Sequence, residues 1–255
     1  MADVIDYRIL GDDMQVVVIE LDPGEGVRAE AGAMLFMSDG VRMQTGTEGG
    51  LFKGFKRVLT GESFFITTFM QAGSNRGTVA FGAPYPGKII PIDLAEHGGA
   101  FLCQKDAFLC AARGVEIEVA FTKRLGAGLF GGEGFILQQL SGDGMAFVHA
   151  GGTIIRHDLA PGQTLRVDTG CLATFSTTID YDIRFVGGFK NALFGGEGLF
   201  LAHLTGPGVV YLQSLPFSRL ADRIYAVARA GQDREERKGV GGSGLFGGLI
   251  SGDKW

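Results

Sequence analysis

Along most of its length the chain alternates apolar and polar side chains with a period of two. VRMQT (41–45), VEIEV (115–119) and IDYDI (179–183) all follow this pattern, as expected of a strand with one face on a core and the other in water. Upstream of these runs, ELDPGEGVRAEAGAM, DLAEHGGAFLCQKDAFL and DLAPGQTLRVDTGCL each read as strand end, turn and next strand. Downstream, FILQQLSGDGMAFVHAGG and LFLAHLTGPGVVYLQSLP predict two apolar strands joined at SGDG or TGPG, where glycine supplies the positive φ that a tight hairpin needs. FFITTFMQAGSNRGTVAFG predicts the same hairpin with a longer connection. Helix is predicted only locally, at FKGFKRVLTG and at PFSRLADRIY.

These runs recur in the same order three times. TGESFFITTF, GGEGFILQQL and GGEGLFLAHL anchor the copies on Glu62, Glu133 and Glu197, spaced 71 and 64 residues apart, with an LF pair upstream of each glutamate. Such spacings are too long for one solenoid coil and suit small β modules of about five to six strands that bury their apolar faces against one another. The expected fold is therefore all-β: three pseudo-repeated modules, approximately 1–90, 91–155 and 156–228, forming a β-sandwich or barrel-like body around a pseudo-threefold axis. Residues 229–255, with a charged run from Asp233 to Lys238 and a glycine-rich end, read as an appended tail.

The 255 residues are 45% hydrophobic, enough for a sizeable core. The 23 basic and 28 acidic residues leave a formal charge of −5 with no long run of one sign, so nucleic acid is not expected as a partner. Cys103, Cys110 and Cys171 are an odd number without a CxxC pair, which fits a reducing compartment and a cytoplasmic setting. MADVIDYRIL carries acidic residues where a secretory signal would be basic, and no apolar stretch reaches the roughly 18 residues that span a bilayer.

The chemistry-bearing residues point to structure more than to catalysis. LGAGLFGGEGF (125–135) lacks the Lys-Ser/Thr ending of a phosphate-binding loop and the GxGxxG spacing of a dinucleotide site. No serine sits in a GxSxG elbow. Gly61, Glu62, Gly132, Glu133, Gly196 and Glu197 are read as the tight corners of the repeat, with the glutamates making local contacts. Valine at Gly132 or Gly196 is accordingly expected to destabilise more than glutamine at Glu133 or Glu197. LFKGFKRVL sets Lys53, Lys56 and Arg57 beside Phe52 and Phe55, a composition suited to a partner or a membrane surface, and Phe130 and Phe194 offer similar patches. The catalytic alternative is a metal-dependent or small-molecule enzyme with a pocket between modules, using His149, His203 and one of the repeated glutamates. In the repeat, His203 corresponds to Gln139 and Thr68, and His149 to Gln213.

The tripled GGEG/TGES anchors, the GLF words before them and GFILQQLSGDGMAFVHAGG resemble the AIM24 family over roughly residues 1–228. The resemblance implies a β-sandwich-like fold with internal pseudo-symmetry, related to that of the tryptophan RNA-binding attenuator protein. It supplies no catalytic residues, and kinship in fold does not bring RNA binding with it. A eukaryotic member of the family is mitochondrial and associated with inner-membrane organisation, a role that does not transfer without a targeting segment. The expected function is a non-enzymatic scaffold or interaction protein that self-associates or binds membranes peripherally, with no cofactor.

Overall fold

The computed structural model describes residues 1–44, 66–123, 135–186 and 199–240. Residues 1–216 form one unit and residues 217–255 a second. Among the described residues of the first, strand predominates. In chain order it contains β1 (Asp6–Leu10), β2 (Val16–Leu21), β3 (Gly26–Glu30), β4 (Met34–Met37), β5 (Val41–Gln44), β6 (Ile66–Gln71) and β7 (Gly77–Gly82). Next come β8 (Gly87–Asp93), β9 (Ala100–Gln104), β10 (Phe108–Ala112), β11 (Glu116–Lys123), β12 (Phe135–Ser141) and β13 (Met145–Gly151). The last set is β14 (Ile154–Leu159), β15 (Thr164–Asp168), β16 (Leu172–Ser176), β17 (Asp180–Val186), β18 (Leu199–Thr205) and β19 (Gly208–Gln213).

The repeat predicted from the words of the sequence is visible in how these strands pair. Each set builds two three-stranded arms. One arm is β2-β7-β4, β8-β13-β10 or β14-β19-β16; the other is β5-β6-β3, β11-β12-β9 or β17-β18-β15. β1 adds to the outside of β2. Register agrees residue by residue: Thr68, Gln139 and His203 lie opposite Arg28, Leu102 and Arg166, the third residue of β3, β9 and β15. A short 3-10 turn precedes β4, β10 and β16 alike, at Ala31–Ala33, Lys105–Ala107 and Thr169–Cys171. In all three strands the ladder then slips by one residue, at Leu35, Leu109 and Ala173, a bulge in the same place each time.

Neighbouring sets join edge to edge. β3 pairs antiparallel with β10 and β9 with β16, which merges arms into two six-stranded sheets, β5-β6-β3-β10-β13-β8 and β11-β12-β9-β16-β19-β14. The remaining arms stand as a four-stranded sheet, β1-β2-β7-β4, and a three-stranded one, β15-β18-β17. The body is thus predominantly β, built from discrete sheets. The barrel-like closure expected from the sequence is not found among the described strands: every sheet ends in two edges, because an arm passes its edge to the next set and not back to its own first strand.

Burial follows from that pairing. β10 and β16 are buried at every residue, so FLCAA and LATFS do not alternate as strands with one wet face would. One core gathers Phe69, Phe81, Phe101 and Phe147; a second gathers Phe135, Phe175, Leu204 and Val210.

In the second unit, α1 spans Phe217–Val240. The helix expected at PFSRLADRIY therefore continues through residue 228 and into the charged run 233–238, which is rich in strong helix formers.

Candidate functional site

The residues singled out in the sequence are only partly within the described structure. Gly61, Glu62, Gly132, Glu133, Gly196 and Glu197, together with Phe52, Lys53, Phe55, Lys56, Arg57, Phe130 and Phe194, lie outside the described residues.

His149 and His203 are within it, in different sheets. His149, on β13, is 2% exposed and stacks edge-on against Tyr85 with ring centroids 4.5 Å apart. Its Nδ1 has no hydrogen-bond partner. Burial pushes its pKa down to about 4, so the imidazole is neutral at pH 7. The Tyr85 phenol is pushed up to about 12, by burial first and then by Asp106 and Glu30. The Glu30 carboxyl is itself raised, chiefly by burial and next by Asp106, with Lys105 acting the other way. His203 sits on β18 in the three-stranded sheet, with Arg166 and Asp182 as cross-strand neighbours. Among the described residues, no group of three or more His, Cys, Asp or Glu side chains is placed to hold a metal ion.

His149 belongs to the seam where one set of strands meets the next. At the corresponding place in the following seam stands Gln213. Its Oε1 accepts the Gly151 N–H at 2.9 Å, while its Nε2 donates to the Gly170 carbonyl at 2.9 Å and approaches Gln104 Oε1 at 3.5 Å. Other side chains also cross the seams. Arg28 on β3 donates to the Val115 carbonyl at 3.1 Å, and the Thr174 hydroxyl on β16 donates to the Leu102 carbonyl at 2.6 Å. These are the contacts that satisfy buried polar groups where two modules dock.

β4 and β15 depart from this scheme. β10 and β16 each have a strand on both sides, whereas β4, their counterpart, pairs only with β7 among the described strands. Likewise β3 and β9 are paired on both sides, and β15, among the described strands, only with β18. The consequence is an exposed apolar strip. Leu35, Phe36 and Met37 are 56%, 52% and 38% exposed, while the residues at the same positions in β10 and β16 (Leu109, Cys110, Ala111, Ala173, Thr174 and Phe175) are 2% exposed or less. On β15, Thr164 and Arg166 are exposed where β9 has Ala100, half-buried, and Leu102, buried.

Residues 7–215 match the family described as Mitochondrial biogenesis AIM24. The chain belongs to the AIM24 family. An uncharacterized protein of Streptococcus pyogenes serotype M6 is similar to this AIM24 protein, 29% identical over 217 residues that cover 82% of this chain and 85% of the relative. A solved structure is also similar: the X-ray crystal structure of a Streptococcus pyogenes protein matches with a TM-score of 0.72 at 25% identity, over 88% of this chain and 99% of the other. The overall fold is therefore similar to that protein's over nearly the whole of its length.

The apolar edge of this AIM24 protein was missed in the sequence because MLFM reads like any other buried strand. The signal lay in the comparison between copies. Aligned on the repeat, Phe36 stands where FLCAA and LATFS have the smaller Cys110 and Thr174, and β4 is one residue shorter than either counterpart.

Proposed function

We propose that this AIM24 protein is a non-enzymatic scaffold that works by associating with further copies of itself, with the β4 edge as its contact surface. The observation that carries the reading is the exposure of Leu35, Phe36 and Met37 on a strand whose two counterparts in the chain are wholly covered. Exposed, contiguous apolar side chains on an open strand edge mark a place where another chain docks. Covering three half-exposed side chains supplies roughly 3 kcal/mol of apolar stabilisation, and the ladder hydrogen bonds of the added strand contribute further.

The repeat of arms and bulges supports a finer architectural reading, in which the three sets of strands are related by a pseudo-threefold arrangement akin to the attenuator-protein fold. Self-association then extends an edge-to-edge principle already used twice within one chain. The three free cysteines suit the reducing, cytoplasmic setting in which such a scaffold would operate.

Native mass and light scattering across about 1–100 µM test the proposal. The expected result is an oligomer that shifts to monomer in a Phe36→Glu variant with unchanged circular dichroism. A wild-type monomer throughout that range overturns it.

A further inference from the structure

The first seam, β3 with β10, differs in chemistry from the second, β9 with β16. We infer that His149, held under Tyr85 where the chain passes from the first set of strands to the second, is an acid-sensitive latch: its protonation opens the first seam and leaves the second closed. This goes beyond the self-association reading and does not depend on it.

The two seams fill the same places with different groups. In the second, Gln104 ends β9, Gly170 lies in the 3-10 turn before β16 and Gln213 ends β19; Gln213 bonds to the other two and to the Gly151 N–H. None of their side chains titrates. In the first, the same places are held by Glu30 at the end of β3, Asp106 in the turn before β10 and His149 on β13. The backbone differs as well. Ile89 lies opposite His149 and Ile154 opposite Gln213, and three residues before them stand Pro86 and Gly151. Gln213 is tied down by the Gly151 N–H, a donor that proline lacks. His149 has no such amide to satisfy, and its Nδ1 is buried without a partner.

The ring has no means of holding a second proton in place. An imidazolium donates from both nitrogens and needs an acceptor for each. Nδ1 meets none, Tyr85 stands edge-on with centroids 4.5 Å apart, and the Gly87 backbone packs so closely that a Cβ there would collide with Nε2. The elements packed against β13 carry Lys88 and Asp93 on β8, Cys110 on β10, Lys105 and Asp106 in the 3-10 turn, and Tyr211 on β19. Glu30 and Asp106 act on the Tyr85 phenol, while burial is what holds the histidine neutral. A charged ring is accommodated by lifting Tyr85 away and admitting water. With a pKa of about 4 when closed and 6.5 when open, the opening constant rises about 20-fold between pH 7 and pH 5. Burial raises the Glu30 carboxyl, so Glu30 favours the closed seam as pH falls.

Amide hydrogen exchange at pH 7 and pH 5, expressed as protection relative to each residue's intrinsic rate, locates the opening. The Gly87, Ile89 and Arg113 N–H groups donate across the first seam to the Asp13 carbonyl, Gln15 Oε1 and the Gly26 carbonyl. The Gly151 and Leu215 N–H groups, bonded to Gln213 Oε1 and the Gly151 carbonyl, report the second. From pH 7 to pH 5, protection at Gly87, Ile89 and Arg113 should fall about 20-fold further in the wild type than in His149→Gln, which keeps Glu30 and so cancels its effect. Gly151 and Leu215 should change alike in both proteins. If they fall with the first-seam amides, or if every core amide falls by one factor, His149 sets only overall stability and the latch is overturned. Equal falls at the first seam in wild type and variant overturn it too, by assigning the acid sensitivity to other groups. Should His149→Gln fail to fold, the wild type decides alone: equal falls at the two seams refute the inference.

Discussion

Replacing His149 by glutamine should change how stability depends on pH more than it changes stability at any one pH. The folded-state pKa is about 4 against an ordinary value of 6.5, so the unfolded chain takes up the proton first as pH falls. The contribution is therefore complete above about pH 6.5 and is lost progressively toward pH 4. Between pH 7 and pH 5 the linkage integral for this pair of values is about 2 kcal/mol. Tyr85 faces the ring, and Glu30 and Asp106 bear on Tyr85. Glu30 acts in the opposite sense, because burial raises its pKa and its contribution falls as pH rises. The wild-type curve alone mixes the two effects. The difference between wild type and His149→Gln isolates the histidine. Glutamine suits the site because Gln213 occupies the corresponding place in the next seam, and any hydrogen bond it gains is independent of pH. Urea unfolding of both proteins at pH 7, 6 and 5 gives the measurement. The wild type should lose about 2 kcal/mol relative to the variant over that range. A difference that stays constant within about 0.5 kcal/mol would show that His149 is not held neutral by burial.

Gln213→Ala should cost about 2–4 kcal/mol in chemical unfolding, because it leaves the buried Gly151 N–H and Gly170 carbonyl without their partner; a loss below about 0.5 kcal/mol would mean water replaces the side chain. Gly114→Ala should lower stability by about 1–3 kcal/mol, since Gly114 has φ +103° and a Cβ there would lie 2.7 Å from the Ala2 Cα; a thermal midpoint equal to that of wild type would refute the turn geometry. Cys103 and Cys110 are buried, with their thiols pushed well up by burial, so a thiol reagent should label Cys171 first in the native protein and reach the other two only on unfolding. Equal labelling rates for all three would contradict the packing of β9 and β10.

What the sequence made legible was whatever repeats. Alternation in VRMQT, VEIEV and IDYDI located β5, β11 and β17, and aligning the copies on their glutamates placed His203 with Gln139 and Thr68, as the ladders then show. The seams were not legible, because a strand buried on both faces, such as FLCAA, carries no period that says which neighbour covers it. Barrel closure was expected for the same reason: nothing in an apolar run distinguishes pairing with its own module from pairing with the next. The His149–His203 pocket was drawn from residue type, and burial beside Tyr85 assigns His149 to a seam. The length of α1 was underestimated because a charged run with glycines resembles a tail until its helix formers are counted.

The remaining edges explain why the open β4 is informative. Strand edges that meet water in natural sheets are blunted by charge or proline, and this chain follows the rule wherever an edge recurs. β1 carries Asp6 and Arg8, paired with Arg76 and Glu20; β14 carries the Arg156–Asp158 pair and β17 the Arg184–Asp182 pair. β11 has Glu116 and Glu118, β5 has Arg42, and β8 has Lys88 and Pro91. β4 has no charge and no proline in Met34–Met37. β15 does carry charge, as Arg166 and Asp168, but Arg28 and Glu30 hold the same two positions on β3, which is paired on both sides. Charge at those places therefore accompanies pairing. Among the described strands, six edges carry charge or proline and β4 alone carries neither, while its counterparts β10 and β16 are covered; the contrast supports the proposal that another copy covers β4. Introducing the missing protection, Leu35→Lys with Met37→Lys, should yield a monomer at least as soluble as the parent, with unfolding midpoints unchanged once the parent is measured at dilutions where it too is monomeric.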